Sequence, residues 1–204
     1  MGLVRRTAQV PTGEERREAV RDSSGLQQQL RDGDAEQRRR AALDLWGDAD
    51  AVPALLDALA SEHDGAARDA VLTTLAGHDT PAVGAALGRD LSSEDAARRN
   101  AAVKALQAMP LAVASLVEGG VLQDADADVR VLAVMVLSAV SHPDVPQWLR
   151  PVVDSDADAN VVAAAVDVAV TIGGDIAEEL AATAAGRFPD NPYLRFLAAR
   201  TGQP

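Results

Sequence analysis

The sequence predicts an all-α fold, a right-handed α-solenoid of about five helical hairpins with N- and C-terminal caps. The first indication is an internal repeat, because one pattern returns at intervals of 30 or 31 residues, and a period between about 20 and 50 residues is typical of stacked-repeat proteins. The second is the helical spacing of apolar residues inside each repeat. The third is composition: 48% of the residues are hydrophobic but only 2% are aromatic, which suits thin helices packed in layers.

The repeat is clearest around Arg130, where Asp126 stands four residues earlier and an apolar stripe with Ala133 and Leu137 follows. The positions equivalent to Arg130 are Arg38, Arg68, Arg99 and Asn160. Each repeat predicts a first helix, a short turn and a second helix. The first helices are predicted at residues 35–46, 65–76, 96–108, 127–140 and 157–171, and the second near residues 52–59, 81–91, 111–117, 145–153 and 176–180.

The repeat pattern divides the chain into three segments. Residues 1–22 form a polar arm without an apolar stripe, which is either a short solvated helix or disordered. Residues 23–185 form the repeats and begin with a half-repeat helix capped by Ser23 or Ser24. Residues 186–204 hold every Phe and Tyr of the protein. They predict a helix that covers the last repeat, with an aromatic anchor for a partner as the alternative.

An aspartate stands four residues before the key position in every repeat. These residues are Asp34, Asp64, Asp95, Asp126 and Asp156. A carboxylate at a helix start accepts hydrogen bonds from free backbone N–H groups and meets the positive end of the helix dipole, so each is predicted to be an N-cap. The arginine of one repeat can also reach an acid of the next. The predicted structural ladder therefore consists of these aspartates with Arg38, Arg68, Arg99 and Arg130.

The pattern Asp-x-x-Val-Arg-x-x-Ala-x-x-Ala-Leu resembles the bacterial HEAT repeat, in particular the HEAT-like class found in phycobilisome lyases and many scaffold proteins. Residues 126–137 fit it most closely, residues 95–106 fit well and residues 64–75 fit loosely. The resemblance covers roughly residues 23–185 and implies the fold, with second helices lining a concave side. It implies little about activity. Asn160 departs from the pattern, which implies a weaker ladder contact or the end of the array.

Charge and composition exclude several classes of function. The net charge is −12, from 31 acidic and 19 basic residues, whereas a nucleic-acid binder needs a basic stripe to neutralise phosphates. The acidity is explained either by a solvated surface or by a surface matched to a basic partner. There is no cysteine, and no apolar run approaches the roughly 20 residues of a membrane span. We therefore expect a cytoplasmic protein that binds neither nucleic acid nor membrane and needs no cofactor.

Two runs of alternating aspartates, residues 124–128 and 154–158, resemble the start of a calcium-binding EF-hand loop. Both runs lack the central glycine and the final glutamate of that loop, so we expect no calcium site. The three histidines, His63, His78 and His142, fall in separate predicted turns. They are not expected to converge on zinc or to act in acid–base catalysis.

Candidate partner-binding residues lie on the second helices and in the C-terminal cap. Trp46 and Trp148 are assigned to the core instead, with Trp148 at the position equivalent to Leu55. The exposed candidates on the second helices are Asp57, Arg89, Asp90, Glu118, Gln147, Arg150, Glu178 and Glu179. The candidates in the C-terminal cap are Tyr193 and Phe196.

The favoured hypothesis is a non-catalytic scaffold or adaptor that binds a partner protein along the concave face, because no catalytic residue constellation is present. The resemblance leaves two enzymatic alternatives, a bilin lyase-like enzyme or chaperone and a HEAT-like DNA glycosylase. The glycosylase would need a basic channel, which the acidic composition disfavours. A further alternative is a dimer that pairs through the C-terminal caps.

Overall fold

A computed structural model describes residues 22–202, in which twelve α-helices occur and no strands. The predicted all-α fold is confirmed. The chain divides into two compact units, Met1–His78 and Asp79–Pro204, and each is described by itself. The polar arm predicted at residues 1–22 lies, except for Asp22, outside the described residues.

The described part of the first unit, residues 22–78, contains four helices in two layers. They are α1 (Ser23–Asp32), α2 (Ala35–Asp44), α3 (Val52–Ser61) and α4 (Gly65–Ala76), with a short 3-10 turn at Ala49–Ala51 before α3. The first helices α2 and α4 pack against each other, and α1 packs against the second helix α3. Asp22, whose side chain accepts from the N–H of Gly25, caps α1, so the prediction of Ser23 or Ser24 as the cap is wrong. A half-repeat thus opens the unit.

The second unit contains eight helices. They are α5 (Pro81–Leu91), α6 (Ala96–Leu106), α7 (Pro110–Glu118), α8 (Ala127–Leu137), α9 (Val145–Ser155), α10 (Ala159–Ile172), α11 (Asp175–Arg187) and α12 (Pro192–Thr201). The first helices α6, α8 and α10 pack in succession, the second helices pack as α5 on α7 and α9 on α11, and α12 packs on α10 and α11. Because α11 continues to Arg187, the boundary predicted after residue 185 falls inside a helix.

Small residues allow the close approach of α5 and α7. A Cβ added to Gly84 would lie 2.9 Å from a backbone carbonyl oxygen of α7, so only glycine fits at this crossing. Leu194 and Leu197 of α12 are fully buried, and this helix therefore closes the apolar end of the second unit.

No one helix between residues 22 and 202 is long and apolar enough to cross a bilayer. The adjoining helices α6 and α7 reach the required length and composition only together, and they are bent by 111° at their junction.

Candidate functional site

Aspartates fix the start of four first helices. Their carboxylates accept hydrogen bonds from the backbone N–H groups of the first turn, as the spacing predicted. The pairs are Asp34 with Gln37, Asp64 with Ala67, Asp95 with Ala97 and Asp126 with Asp128, at 2.8–2.9 Å. In the first pair the Gln37 side chain accepts in return from the Asp34 N–H at 2.9 Å, which completes a capping box.

The fifth helix start differs from the prediction. The N-cap of α10 is Asp158, which accepts from the N–H of Asn160 at 2.7 Å, so the assignment of Asp156 as a cap is wrong. Asp156 lies before the helix, and its carboxylate binds Arg130 instead. By the same offset, the position equivalent to Arg130 is the buried Val162 and not Asn160. The repeat is therefore two residues longer here than the constant spacing assumed.

Each repeated arginine folds back onto the turn that precedes its own helix. The guanidinium donates to a backbone carbonyl oxygen five or six residues earlier, a contact that the sequence pattern did not indicate. The pairs are Arg38 with Gly33 (2.8 Å), Arg68 with Glu62, Arg99 with Ser93 (2.6 Å) and Arg130 with Asp124 (2.8 Å). The arginine thus ties the start of a first helix to the end of the preceding second helix.

Arg38 and Arg130 also reach the next repeat. Arg38 donates to both carboxylate oxygens of Glu62, at 2.7 and 2.9 Å, and Arg130 does the same to Asp156, at 2.7 and 3.0 Å. Such bidentate pairs fix the geometry of both partners. Glu62 was not among the predicted ladder residues, although an acid six residues before the key position was visible in most repeats. In these two pairs the ladder acid is this residue and not the N-cap.

The environment of the two ladder acids keeps them ionised. Hydrogen bonds from Arg38 lower the pKa of Glu62 from 4.5 to about 2 against the opposing effect of burial, and the N–H groups of His63 and Asp64 contribute. Burial alone would raise the pKa of Asp156, but the hydrogen bonds from Arg130 and from a backbone N–H hold that pKa below its ordinary value. Both carboxylates are therefore structural anions at neutral pH.

A cavity lies beside each of these two ion pairs. The one in the first unit has a volume of about 500 Å³, and the one in the second unit about 240 Å³. Their linings correspond position by position: Leu30 with Leu122, Arg31 with Gln123, Arg38 with Arg130, Asp57 with Pro151, Ala58 with Val152, Ser61 with Ser155, Glu62 with Asp156 and His63 with Ala157. A cavity that recurs with the ladder is a consequence of the repeat geometry.

The predicted partner-binding residues do not form one uniform set. Asp57, Arg89, Glu118, Gln147 and Glu178 are exposed on second helices.

The other predicted charges on the second helices are engaged within the second unit. The side chain of Asp90 is only 14% exposed and pairs with Arg98 at 3.0 Å, so its assignment as an exposed candidate is wrong. Arg150 and Glu179 are exposed but pair with each other between α9 and α11.

The aromatic side chains also differ from their predicted positions. Trp46, assigned to the core, is 59% exposed. Trp148 is half-buried and stacks on His142 with ring centroids 4.4 Å apart, while the fully buried Leu149 takes the core place of this helix. Tyr193 and Phe196 are exposed on α12. The Tyr193 hydroxyl donates to Asp167 at 2.7 Å, and this hydrogen bond raises the pKa of Tyr193.

The aspartate at the start of the first run and the middle aspartate of the second use their carboxylate oxygens within the protein. Asp124 accepts from the N–H of Asp126, and Asp156 accepts from the N–H of Asp158, both at 2.9 Å. Within residues 22–202, no group of three or more His, Asp or Glu side chains is arranged to hold a metal ion. The aspartate runs are turns and caps in this structure.

One functional contact of the last repeat was missed. Arg187, at the end of α11, donates to the carbonyl oxygens of Val153 and Asp156. Its guanidinium also lies 5.1 Å from the ring centre of Phe188. It thereby ties the end of α11 to the turn between α9 and α10, where a ladder arginine at Val162 would otherwise be expected.

These features define an all-α repeat protein, in which layers of helices carry aspartate caps and arginine–acid pairs at repeated positions. Residues 23–107 match the family model described as HEAT repeats. This part of the chain therefore consists of HEAT repeats, and the resemblance found in the sequence is confirmed there. The match does not separate the phycobilisome-lyase type from other HEAT repeats, nor an enzyme from a scaffold.

Comparison with solved structures finds similarity to the crystal structure of an engineered protein from the Northeast Structural Genomics Consortium. The identity is 21%, the TM-score is 0.42, and the similarity covers 88% of this chain and 94% of that chain. No curated protein matches the sequence.

Proposed function

We propose that this chain is a non-catalytic scaffold that binds a partner protein along the exposed faces of the second helices of residues 79–202. HEAT repeats are generally protein-interaction scaffolds, which supports the class of function. The observation that carries the proposal is the division of α9 and α11 into a buried apolar stripe and an exposed polar stripe. In α9, for example, Val145 and Leu149 are buried, whereas Gln147, Arg150 and Asp154 are exposed.

The charges on these helices favour a basic partner. Helices α5, α7, α9 and α11 together carry six acids and three arginines, which are Asp90, Glu118, Asp154, Asp175, Glu178, Glu179, Arg89, Arg150 and Arg187. Arg150 is neutralised by Glu179, and Arg187 is directed at backbone carbonyls. The free carboxylates of Glu118, Asp154 and Glu178 therefore dominate the surface, and complementary charge accelerates and directs association.

The ladder prepares this surface for binding. Aspartate caps fix the first helices, and Arg130, Asp156 and Arg187 hold α9 and α11 to their neighbours. A surface that is already ordered loses less conformational entropy when a partner binds, so more of the contact energy appears as affinity. In this way a repeat protein without catalytic groups offers a preformed recognition surface to an extended segment of its partner.

Charge reversal on two second helices tests the proposal. The chain is used as bait in an extract of the cells that express it, and captured proteins are quantified by mass spectrometry. The double substitution Glu118→Lys and Glu178→Lys is expected to remove the captured partner, because it replaces two free carboxylates by cations. Glu179 is left unchanged, since reversing it would place a lysine beside Arg150 and perturb the fold.

The matched control reverses two exposed charges outside the second helices, Glu94→Lys and Asp190→Lys, so that both proteins have the same net charge. This control is expected to retain the partner. If the two double variants lose the same proteins equally, general acidity and not the second-helix surface attracts them. If neither loses any, this surface is not the binding site.

A further inference from the structure

Large apolar side chains are exposed at one particular place in the repeat. Seven such side chains occur among residues 22–202, and two of them, Tyr193 and Phe196, belong to α12. The other five lie at the junction where a first helix ends and a second helix begins: Leu43, Trp46, Leu111, Met135 and Ile172. The opposite ends of these helices carry the aspartates and arginines. Each unit therefore leaves apolar surface in water at its helix junctions.

The second unit contains a cavity at such a junction, between the end of α8 and the start of α9. It has a volume of about 510 Å³, within the range of about 300–1,000 Å³ typical of ligand pockets. Its apolar lining consists of Leu137, Val140, Pro143, Val145, Pro146 and Ile172. We name it the junction cavity. It is separate from the cavities beside the ladder, and none of its lining residues takes part in an arginine–acid pair.

The apolar rim of the junction cavity is accessible to a partner. Ile172, at the end of α10, lines the cavity and is 47% exposed. Met135 does not line the cavity but lies one helical turn before the lining residue Ser138, and it is 46% exposed. The ring of His142 also lines the cavity and is held in place by its stack on Trp148. Fixed walls with exposed aliphatic groups at the mouth favour insertion of an aliphatic side chain, since burial contributes about 25 cal/mol per Å² of apolar area.

Two carboxylates without a Lys or Arg partner lie within three residues of this apolar lining in the sequence. Asp144 belongs to the turn that forms the cavity wall, and Asp175 begins α11 three residues after Ile172. Neither forms an ion pair with Lys or Arg in the described part of the chain, and residues 138–146 and 172–176 contain no Lys or Arg. The nearest cationic candidate, Nδ1 of His142, lies 4.0 Å from Asp144 and accepts a hydrogen bond from the Asp144 N–H. The charge at the rim is uniformly negative.

We propose that the junction cavity binds an amphipathic segment of a partner protein, which inserts one or two aliphatic side chains and places Lys or Arg beside Asp144 and Asp175. The aliphatic lining selects the inserted side chains, and the two free carboxylates select the flanking charge. This site adjoins the second-helix surface and shares Asp175 of α11 with it, but its test uses different substitutions.

A labelled model peptide tests the proposal directly. The probe is a short amphipathic helix of Leu and Lys, titrated with the full chain by fluorescence anisotropy, and its counterpart replaces every Lys by Glu. The Leu/Lys peptide is expected to bind and the Leu/Glu peptide to bind much more weakly. The substitutions Met135→Gln and Ile172→Gln together are expected to weaken binding at least about tenfold, as for loss of a buried anchor contact.

Two controls distinguish binding at the junction cavity from nonspecific electrostatic attraction and from nonspecific hydrophobic association. Phe196→Gln removes an equally exposed apolar side chain elsewhere and is expected to leave the affinity unchanged. Asp144→Asn with Asp175→Asn is expected to weaken binding of the Leu/Lys peptide and to reduce its salt dependence. NMR shift mapping on the unsubstituted chain is expected to place the largest perturbations at residues 135–146 and 172–175, and it does not depend on the folding of any variant.

Three results would overturn the proposal. The first is equal affinity of the Met135→Gln, Ile172→Gln protein and the unsubstituted chain. The second is a map of perturbed residues that avoids the junction cavity. The third is a dimer in light scattering that Ile172→Gln dissociates, because the cavity would then pair two copies of this chain and not hold a partner segment.

Discussion

Replacing Glu62 by glutamine is expected to lower the free energy of unfolding by about 2–3 kcal/mol at neutral pH. The side chain of Glu62 is only 3% exposed, and Arg38 together with two backbone N–H groups lowers its pKa from 4.5 to about 2. At about 1.4 kcal/mol for each pH unit between the two pKa values, full linkage would give about 3.5 kcal/mol. Water around the half-exposed Arg38 reduces this value.

The contribution of Glu62 depends on pH in a defined direction. Because its pKa is lower in the folded state, the stabilisation is complete above the ordinary value of 4.5 and is lost as the pH falls through about 2. Urea unfolding followed by circular dichroism measures it. With a typical dependence of about 2 kcal/mol per molar urea, Glu62→Gln is expected to lower the midpoint by about 1 M at pH 7. The difference between the two proteins should shrink between pH 4.5 and pH 2.

Glu36 provides the matched control for Glu62. Hydrogen bonds from Arg39 and Arg40 lower its pKa to about 2 as well, but the pair lies on the exposed surface of α2, where solvent screens the interaction. Glu36→Gln is therefore expected to leave the urea midpoint nearly unchanged at every pH. Equal effects of the two substitutions, or a Glu62 effect that persists at pH 2, would refute the assignment of the ladder pair as a buried structural anion.

Two further pairs of substitutions test single contacts by urea unfolding. Gly84→Ala is expected to destabilise the protein by about 1–2 kcal/mol, because a Cβ would lie 2.9 Å from a backbone carbonyl oxygen of α7. A Cβ on Gly88 would contact only the flexible end of the Leu116 side chain, so Gly88→Ala is expected to be neutral or stabilising because alanine has the higher helix propensity. If Gly88→Ala destabilised the protein more than Gly84→Ala, α5 and α7 would not cross as described. Thr74→Val is expected to cost about 1–3 kcal/mol, since the buried Thr74 hydroxyl donates to Ala42 O at 2.7 Å. Thr73→Val, on the exposed side of α4, is expected to have little effect. If both substitutions lowered the free energy of unfolding equally, the hydrogen bond from Thr74 to Ala42 would not be what stabilises the protein.

Interactions that span only a few residues, such as helix N-caps, could be predicted from the sequence. The caps at Asp34, Asp64, Asp95 and Asp126 follow from the preference of carboxylates for helix starts, which acts within one turn. The fifth cap was misplaced because a constant period was assumed. A turn longer by two residues moves the helix start, and both Asp156 and Asp158 satisfy the local rule, so only the contact with Arg130 separates them.

The burial of side chains near a helix end could not be predicted, because it depends on the residue at which the helix stops. The apolar stripe continued to Trp46, but α2 ends at Asp44 and the chain turns at Gly47 with a φ of 80°, which leaves the indole outside. Arg187 was missed for a different reason. Its acceptors are backbone carbonyls more than 30 residues earlier. Because every residue has a backbone carbonyl, the residue types in the sequence do not mark such an acceptor.

The three cavities described above fall into two kinds, and the difference indicates where specific recognition resides. The cavities beside the ladder recur at equivalent positions of two repeats and follow from the arginine–acid pair, so their existence requires no ligand. The lining residues of the junction cavity are not repeated in this way in the sequence. The two ladder cavities are related by an offset of 92 residues up to Arg130 and of 94 residues from Pro151, so Val140, which lies between, corresponds to Asp48 or Trp46 of the first repeat. Neither of these side chains is aliphatic. A function performed once by a repeat protein must depend on positions where its repeats differ, and the junction cavity combines such positions with exposed apolar surface and free carboxylates.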